Sequence, residues 1–218
     1  MNPPSGKLPW TVGLGLLLLL LTVGLVVVMA GMKSQVLRGQ PLPVLGQVAP
    51  FTLTNQDAAA VSLDDLRGQV WVADIIFTRC PGPCLRMSRQ MKELQDGLPA
   101  SSRVRLVSLT TDPEFDTPSV LKSYAERFGA DAGRWTFLTG TKQQIGEVAV
   151  SSLRLSAVET KPEERTSPED LFVHSTVFVV VDRQGRLRGI FETGGEGVSW
   201  PAEKQKILAT IRQLERER

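Results

Sequence analysis

The first long feature of the chain is an uncharged, apolar stretch over residues 10–32, which is rich in Leu, Val and Gly. With about 1.5 Å of rise per residue, a helix of that length can cross the hydrocarbon core of a bilayer. A secretory signal is the alternative, but its apolar region usually covers only about 7–15 residues. A weak cleavage-like sequence, Val28-Met29-Ala30, leaves removal open. We expect a retained transmembrane helix.

The segments around this helix predict the domain layout. Residues 1–9 form a short polar flank, and residues 33–50 are a linker in which prolines and glycines discourage a helix. The remaining residues, 51–218, form one domain of ordinary size. A short flank, one span and a large C-terminal domain are typical of a single-pass membrane protein. We expect the domain to be exported to the bacterial periplasm or an equivalent compartment, where thiols meet an oxidising or redox-controlled environment.

Within the domain, short β-rich runs alternate with segments of helical periodicity. A final pair of strands, joined by a turn at residues 182–185, precedes the last helix. This order predicts an α/β fold with a central mixed sheet flanked by helices, for which a thioredoxin-like fold is the natural candidate. The predicted strands cover residues 70–77, 104–109, 134–138, 176–181 and 187–191, and the predicted helices cover residues 84–98, 118–128, 142–151 and 200–214.

The only two cysteines, Cys80 and Cys84, lie where the 70–77 strand passes into the first of these helices. Pro81, Gly82 and Pro83 fill the turn between them. Two cysteines are too few for a disulfide scaffold, so their chemistry matters more than their stapling. The helix dipole and the free amides of a helix N-terminus favour thiolate, the form that binds metals and attacks disulfides. Unreactive core cysteines are the alternative.

Composition excludes one class of partner and leaves the rest open. The net charge is +2, with 22% charged and 42% hydrophobic residues, as in an ordinary folded protein. No basic stripe with interleaved aromatic residues suggests nucleic acid.

Three further residues bear on the chemistry. Asp74 is the only charged residue in the 70–77 strand. Because side chains alternate along a strand, Asp74 shares a face with Ile76 and Thr78 and is directed toward the loop that carries the thiols. A carboxylate that only bonds neighbouring backbone or reaches solvent is an equal alternative. Asp112 follows the next strand on the same rim, with a turn role as the alternative. The only histidine, His174, precedes the 176–181 strand, and in thioredoxin-like folds that loop packs against the cysteine loop. Further along the loop after Asp112, Asp116 or Thr117 is expected to cap the 118–128 helix.

Three segments of the chain combine these features: VWVADIIFTRCPGPC at 70–84, TDPEFDTP at 111–118 and VHSTVFVVVD at 173–182. Together they resemble the Sco/SenC family. The resemblance covers residues 51 to about 214, and one departure is Leu85, where the family usually has proline. The resemblance implies a membrane-anchored, thioredoxin-like copper protein that helps to assemble the copper-A centre of cytochrome c oxidase.

Carried over residue by residue, the resemblance implies that Cys80, Cys84 and His174 are copper ligands. It also implies that Cys80 and Cys84 can form a redox disulfide, with Asp74 and Asp112 in supporting positions. Two thiolates and an imidazole suit Cu(I) and can also hold Cu(II) with further ligands. Structural zinc usually needs four protein ligands.

The sequence thus predicts a copper chaperone rather than an enzyme, and no residue is assigned a catalytic role. Its expected partner is the copper-A subunit of cytochrome c oxidase or another exported copper protein. The alternative is a thiol–disulfide oxidoreductase that acts on cysteines of a partner protein. A peroxidase is a weaker third interpretation, because paired, proline-bounded cysteines suit metal or disulfide chemistry better.

Overall fold

The computed structural model describes residues 10–39, 41–165 and 172–217. Its first helix, α1, covers Trp10–Gly39 and forms a unit of its own. The 18-residue window from Val12 to Met29 has a mean hydropathy of 2.9, and none of that window is buried. By length and composition, α1 can cross a membrane. A signal sequence is also an apolar segment near an amino terminus.

The second unit begins at Leu42 and is built on one eight-stranded sheet with the strand order β1-β10-β9-β4-β5-β6-β2-β3. The central strands β4, β5 and β6 are parallel, and β9 and β2 join them antiparallel. The strands are β1 Gly46–Gln47, β2 Thr52–Asn55, β3 Ala60–Ser62, β4 Trp71–Ile76, β5 Arg105–Thr110, β6 Trp135–Thr139, β9 Val177–Val181 and β10 Arg186–Glu192; β7 Ala157–Glu159 and β8 Phe172–His174 form a separate hairpin.

Helices cover both faces of this sheet. They are α2 Leu63–Leu66, α3 Pro83–Gly97, α4 Pro118–Arg127, α5 Lys142–Gly146 and α6 Trp200–Arg216, with a π-helical turn at Glu147–Ser152 and a 3-10 turn at Pro162–Glu164. The predicted mixed sheet flanked by helices, in a thioredoxin-like arrangement behind one apolar N-terminal helix, is confirmed.

Strand β4 shows how the sheet divides the interior. Its residues alternate between the two faces, as a strand requires. Val72 and Ile76 pack with the apolar sides of α3, α4 and α6, whereas Trp71 and Ile75 belong to the core on the opposite face. Asp74 shares the face of Val72 and Ile76 and is completely buried. The one carboxylate of the strand is therefore on the α3 side.

Three local predictions require correction. The helix α1 continues through residues 33–39, predicted as linker, because the first proline after its apolar stretch is Pro41. Residues 42–50 were also predicted as linker but belong to the second unit. Arg188 donates hydrogen bonds to the carbonyls of Leu42 and Pro43, at 2.7 and 3.2 Å, and strand β1 pairs with β10. The predicted 142–151 helix divides into α5 and the π-helical turn, where the amide of Leu153 donates to the carbonyl of Val148 five residues earlier.

Strand β7 ends at Glu159 and pairs with β8 in the hairpin, and the 3-10 turn at Pro162–Glu164 follows it. Residues 166–171 lie outside the described part of the chain. His174, predicted to lie in a loop, is the last residue of β8 and pairs with Ala157.

Candidate metal centre

The two cysteines lie at the joint between β4 and α3. Both neighbours of β4, the strands β5 and β9, hold it in the middle of the sheet, so the point where the chain leaves the sheet is fixed. Helix α3 then begins at Pro83, a favourable first helical residue because its missing amide would lack an intrahelical partner there. Cys80 is 6% exposed and Cys84 is fully buried, whereas the three residues between them are exposed. The thiols therefore lie directly beneath an exposed loop.

Both cysteine side chains are thiols, and they hydrogen-bond to one another. The Cys84 sulfur also accepts a hydrogen bond from the amide of Phe77, at 3.4 Å. Burial raises the pKa of the Cys84 thiol well above its ordinary value, and the Cys80 thiol raises it further, while the Phe77 amide acts in the opposite direction. Burial therefore opposes the thiolate-favouring effect expected of the helix N-terminus at Cys84.

A buried polar layer lies below the dithiol on the α3 side of the sheet. The negative charge of Asp74 adds to the factors that raise the pKa of Cys84. Ser88, one helical turn after Cys84, is 2.9 Å from the hydroxyl of Tyr124 on α4. Burial raises the pKa of Tyr124, and Cys84 and Asp74 raise it further. The structure thus brings Asp74 into the surroundings of Cys84, and its supporting role stays a prediction.

Asp112 lies on the loop after β5 and reaches the residue immediately before the dithiol. Asp112 is only 5% exposed, and its carboxylate is 2.5 Å from the guanidinium of Arg79. The guanidinium also lies over the ring of Phe115, 4.0 Å from the ring centroid, in cation–π geometry. Asp112 therefore contacts the cysteine loop through Arg79, and its role at a metal site stays a prediction as well.

Asp116 was one of the two candidates to cap α4, and the other, Thr117, occupies the N-cap position. One carboxylate oxygen of Asp116 instead accepts from the Thr78 amide at 3.1 Å and from the Thr110 hydroxyl at 2.5 Å. The other oxygen accepts from the Thr78 hydroxyl. Burial raises the pKa of Asp116 despite these hydrogen bonds. The spacing of two aspartates in the DPEFD segment is the sequence signal that could have pointed to this role.

The β7–β8 hairpin, which carries His174, contacts the dithiol loop (residues 77–82, between β4 and α3) through an aromatic pair. Phe172 and Phe77 pack edge to face with their ring centroids 5.3 Å apart, and Phe77 is the first residue after β4. Two residues after His174, the carbonyl of Thr176 accepts hydrogen bonds from the amide and the hydroxyl of Thr193, at 2.8 and 2.7 Å. The segment from Phe172 to Thr176 is thus held at both of its ends.

The imidazole of His174 lies outside the described side chains, so its ligation stays a prediction. Within the side chains that are described, no three His, Cys, Asp or Glu residues form a group that could hold a metal. The dithiol is therefore the part of the predicted ligand set whose geometry is defined.

The mixed sheet with a thiol pair at the start of a helix defines a thioredoxin-like protein whose cysteines are separated by three residues. The SCO1/SenC family model matches residues 44–209, and the chain belongs to that family. The family resemblance predicted from the sequence is thereby confirmed.

Individual relatives agree with this assignment. An SCO1 protein homolog of Bacillus subtilis is 40% identical over 147 residues, which cover 66% of this chain and 73% of that protein. The solved structure of BsSco, described as a member of the Sco family of cytochrome c oxidase assembly proteins, has 32% identity and a TM-score of 0.67, and the match covers 82% of this chain and 100% of that one. Arabidopsis thaliana ScoI with copper bound has 23% identity and a TM-score of 0.62, with 76% and 98% covered, and supports the fold alone.

Proposed function

We propose that the protein is a copper chaperone that binds one copper ion through Cys80, Cys84 and His174 and delivers it to the copper-A site of cytochrome c oxidase. The observation that carries the proposal is the pair of hydrogen-bonded thiols beneath an exposed loop. Family membership supports it, since BsSco is described as a member of the Sco family of cytochrome c oxidase assembly proteins.

The donor set fits copper as a cargo. Thiolate sulfur is a soft ligand that selects Cu(I), and imidazole suits both copper oxidation states. Binding requires both thiols to lose their protons, so copper uptake releases protons. Burial disfavours a Cys84 thiolate that has no cation beside it, and a bound copper ion supplies the missing positive charge.

The thiol–disulfide oxidoreductase stays the second candidate. Burial raises the pKa of Cys84 and so disfavours its thiolate, the attacking species in disulfide exchange. Cys80 is 6% exposed, so an attack on a partner's disulfide would start from this largely covered sulfur. A copper ligand of the acceptor protein can approach from the side of the exposed Pro81-Gly82-Pro83 loop. A copper site with three protein ligands leaves room for that ligand to bind before Cys80, Cys84 and His174 release the ion.

We further propose that α1 is retained as a single-pass anchor and that the unit beginning at Leu42 is exported. The apolar window of 18 residues and the length of α1, Trp10–Gly39, exceed the apolar core of an ordinary signal sequence. An exported domain would meet acceptor copper proteins in a compartment where a reduced dithiol has to be maintained.

Copper loading of the full-length protein in detergent tests the proposal. After anaerobic reduction, exposure to Cu(I) and dialysis, elemental analysis should find one copper per chain, and X-ray absorption should show sulfur in its coordination shell. Cys80→Ala and Cys84→Ala should each lose that copper, because the remaining thiolate and imidazole form a weaker site. Retention of one copper by either variant, or no retention by the wild type, would contradict the proposal.

A further inference from the structure

The strand pairing of β4 ends before the dithiol loop begins. The last residue of β4, Ile76, pairs with Thr110, and its carbonyl accepts from the amide of Thr111 at 2.8 Å. Beyond this point the strand pairing of β4 stops, and Cys80 follows only four residues later. The Phe77 amide donates to the Cys84 sulfur at 3.4 Å, and the Phe77 carbonyl accepts from the Cys80 amide at 3.2 Å, so these bonds join Phe77 to the cysteines and not to a neighbouring strand. Another group must define the position of Thr78, which lies between Phe77 and Cys80.

Asp116 is placed to supply that definition. It is completely buried, and its carboxylate accepts from both the amide and the hydroxyl of Thr78, two residues before Cys80. The same carboxylate accepts from the hydroxyl of Thr110, the last residue of β5. The side chain therefore bridges the end of β5 to the segment that has just left β4, where a neighbouring strand would otherwise bond.

We infer that Asp116 is a positioning residue for the dithiol, acting through Thr78. This inference deepens the proposed function and rests on it where copper is concerned. The ion pair of Arg79 with Asp112 acts on the adjacent residue, so the loop after β5 holds two successive residues before Cys80. A role as helix cap does not account for Asp116, since both carboxylate oxygens are occupied by Thr78 and Thr110 and the N-cap position of α4 belongs to Thr117.

Three substitutions separate positioning from mere stability. Asp116→Ala removes all three hydrogen bonds. Asp116→Asn can keep them, because its carbonyl oxygen can accept from the Thr78 amide and the Thr110 hydroxyl while its amide donates to the Thr78 hydroxyl, which is donor and acceptor alike. Thr78→Val keeps the backbone contact and loses one side-chain contact. Positioning thus predicts that Asn rescues what Ala loses, with Thr78→Val between them.

The readout is the redox equilibrium of the dithiol in the full-length protein, which does not depend on copper. In a glutathione buffer, Cys80 and Cys84 lose two electrons and two protons to one molecule of oxidised glutathione, which becomes two molecules of reduced glutathione. Thiols held in contact have a high effective concentration, which favours the disulfide. Loss of the Asp116 contacts should shift the equilibrium toward the dithiol by about tenfold, or about 30 mV for this two-electron couple.

A matched control is Asp182→Ala. Asp182 is 3% exposed and accepts hydrogen bonds from Arg186 and Arg188, in the turn between β9 and β10. Its removal should lower the unfolding temperature without moving the redox equilibrium. The expected set is a shift for Asp116→Ala, a value near wild type for Asp116→Asn, and an unchanged value for the control.

Two results would overturn the inference: a lower unfolding temperature for Asp116→Ala with an unchanged redox equilibrium, or an Asn variant as strongly shifted as Ala. If Asp116→Ala does not fold, Thr78→Val decides, because the inference requires a smaller shift in the same direction and an unshifted value overturns it. Copper titration of the same variants should show a loss of about 10–100-fold for Ala. A wild type that binds no copper, with the redox shift present, would refute the proposed function and leave the positioning role intact.

Discussion

Phe172→Ala tests whether the hairpin that carries His174 is held against the dithiol loop by one aromatic contact. Phe172 packs edge to face on Phe77, with 5.3 Å between ring centroids, and it lies partly buried against the core that contains both cysteines. Truncating a fully buried phenylalanine costs about 3–5 kcal/mol. Because Phe172 is only partly buried, we expect a loss of about 1.5–2.5 kcal/mol in the free energy of unfolding.

The effect on copper follows from the smaller energy of the ring pair. Such pairs contribute about 0.5–1.5 kcal/mol beyond the area that they bury. If that energy keeps β8 beside the dithiol, its loss should weaken copper binding by about two- to tenfold. Competition with a Cu(I) chelator measures this affinity, and thermal unfolding followed by circular dichroism measures stability.

Phe128→Ala is the matched control. Phe128 is also partly buried and packs on an aromatic ring, that of Tyr124, at 4.7 Å. It follows the last turn of α4, next to Gly129, whose carbonyl accepts from Gln95 near the end of α3. We expect a comparable loss of stability with unchanged copper affinity. Wild-type copper affinity in Phe172→Ala would refute the idea that this pair holds the hairpin at the site.

Three further outcomes are expected. Burial raises the pKa of Asp182, but hydrogen bonds from Arg186 and Arg188 outweigh it and hold that pKa below its ordinary value. The ionised carboxylate therefore stabilises the fold above about pH 4, and this contribution is lost as the pH falls through the lower pKa of the folded state. In Asp182→Asn the free energy of unfolding should fall less steeply at acidic pH, and an unchanged pH dependence would contradict this. Oxidation to a Cys80–Cys84 disulfide should abolish copper retention, measured by elemental analysis after dialysis, because a disulfide sulfur is not a thiolate ligand. A reporter enzyme active only after export, fused to the carboxyl terminus, should be active, and cytoplasmic activity would contradict the topology.

Much of the sheet could be predicted because buried strands and amphipathic helices have strong periodic patterns. The central strand, predicted at residues 70–77, is observed at Trp71–Ile76, and the last helix, predicted at residues 200–214, is observed at Trp200–Arg216. The π-helical turn at Glu147–Ser152 could not be predicted, because the sequence of this segment predicts an ordinary α-helix and the π-helical turn depends on tertiary packing.

The site was predictable in its residue types and less so in its electrostatics. Motif spacing pointed to the thiols, but the raised pKa of Cys84 comes from burial that only the folded chain defines. Asp116 satisfies the local rules for a helix cap, and long-range contacts with Thr78 and Thr110 override that local preference. The β7–β8 hairpin was missed because each strand is only three residues long.

His174→Ala shows whether His174 completes a copper site with the two thiols. Copper affinity of the wild type and the variant should be measured by competition with a chelator, beside a glutathione titration of the Cys80–Cys84 pair in each. We expect a large loss of copper affinity, greatest for Cu(II), because an imidazole ligand is lost, while the disulfide still forms and is reduced. Unchanged copper affinity in the variant would contradict it and favour a thiol–disulfide oxidoreductase.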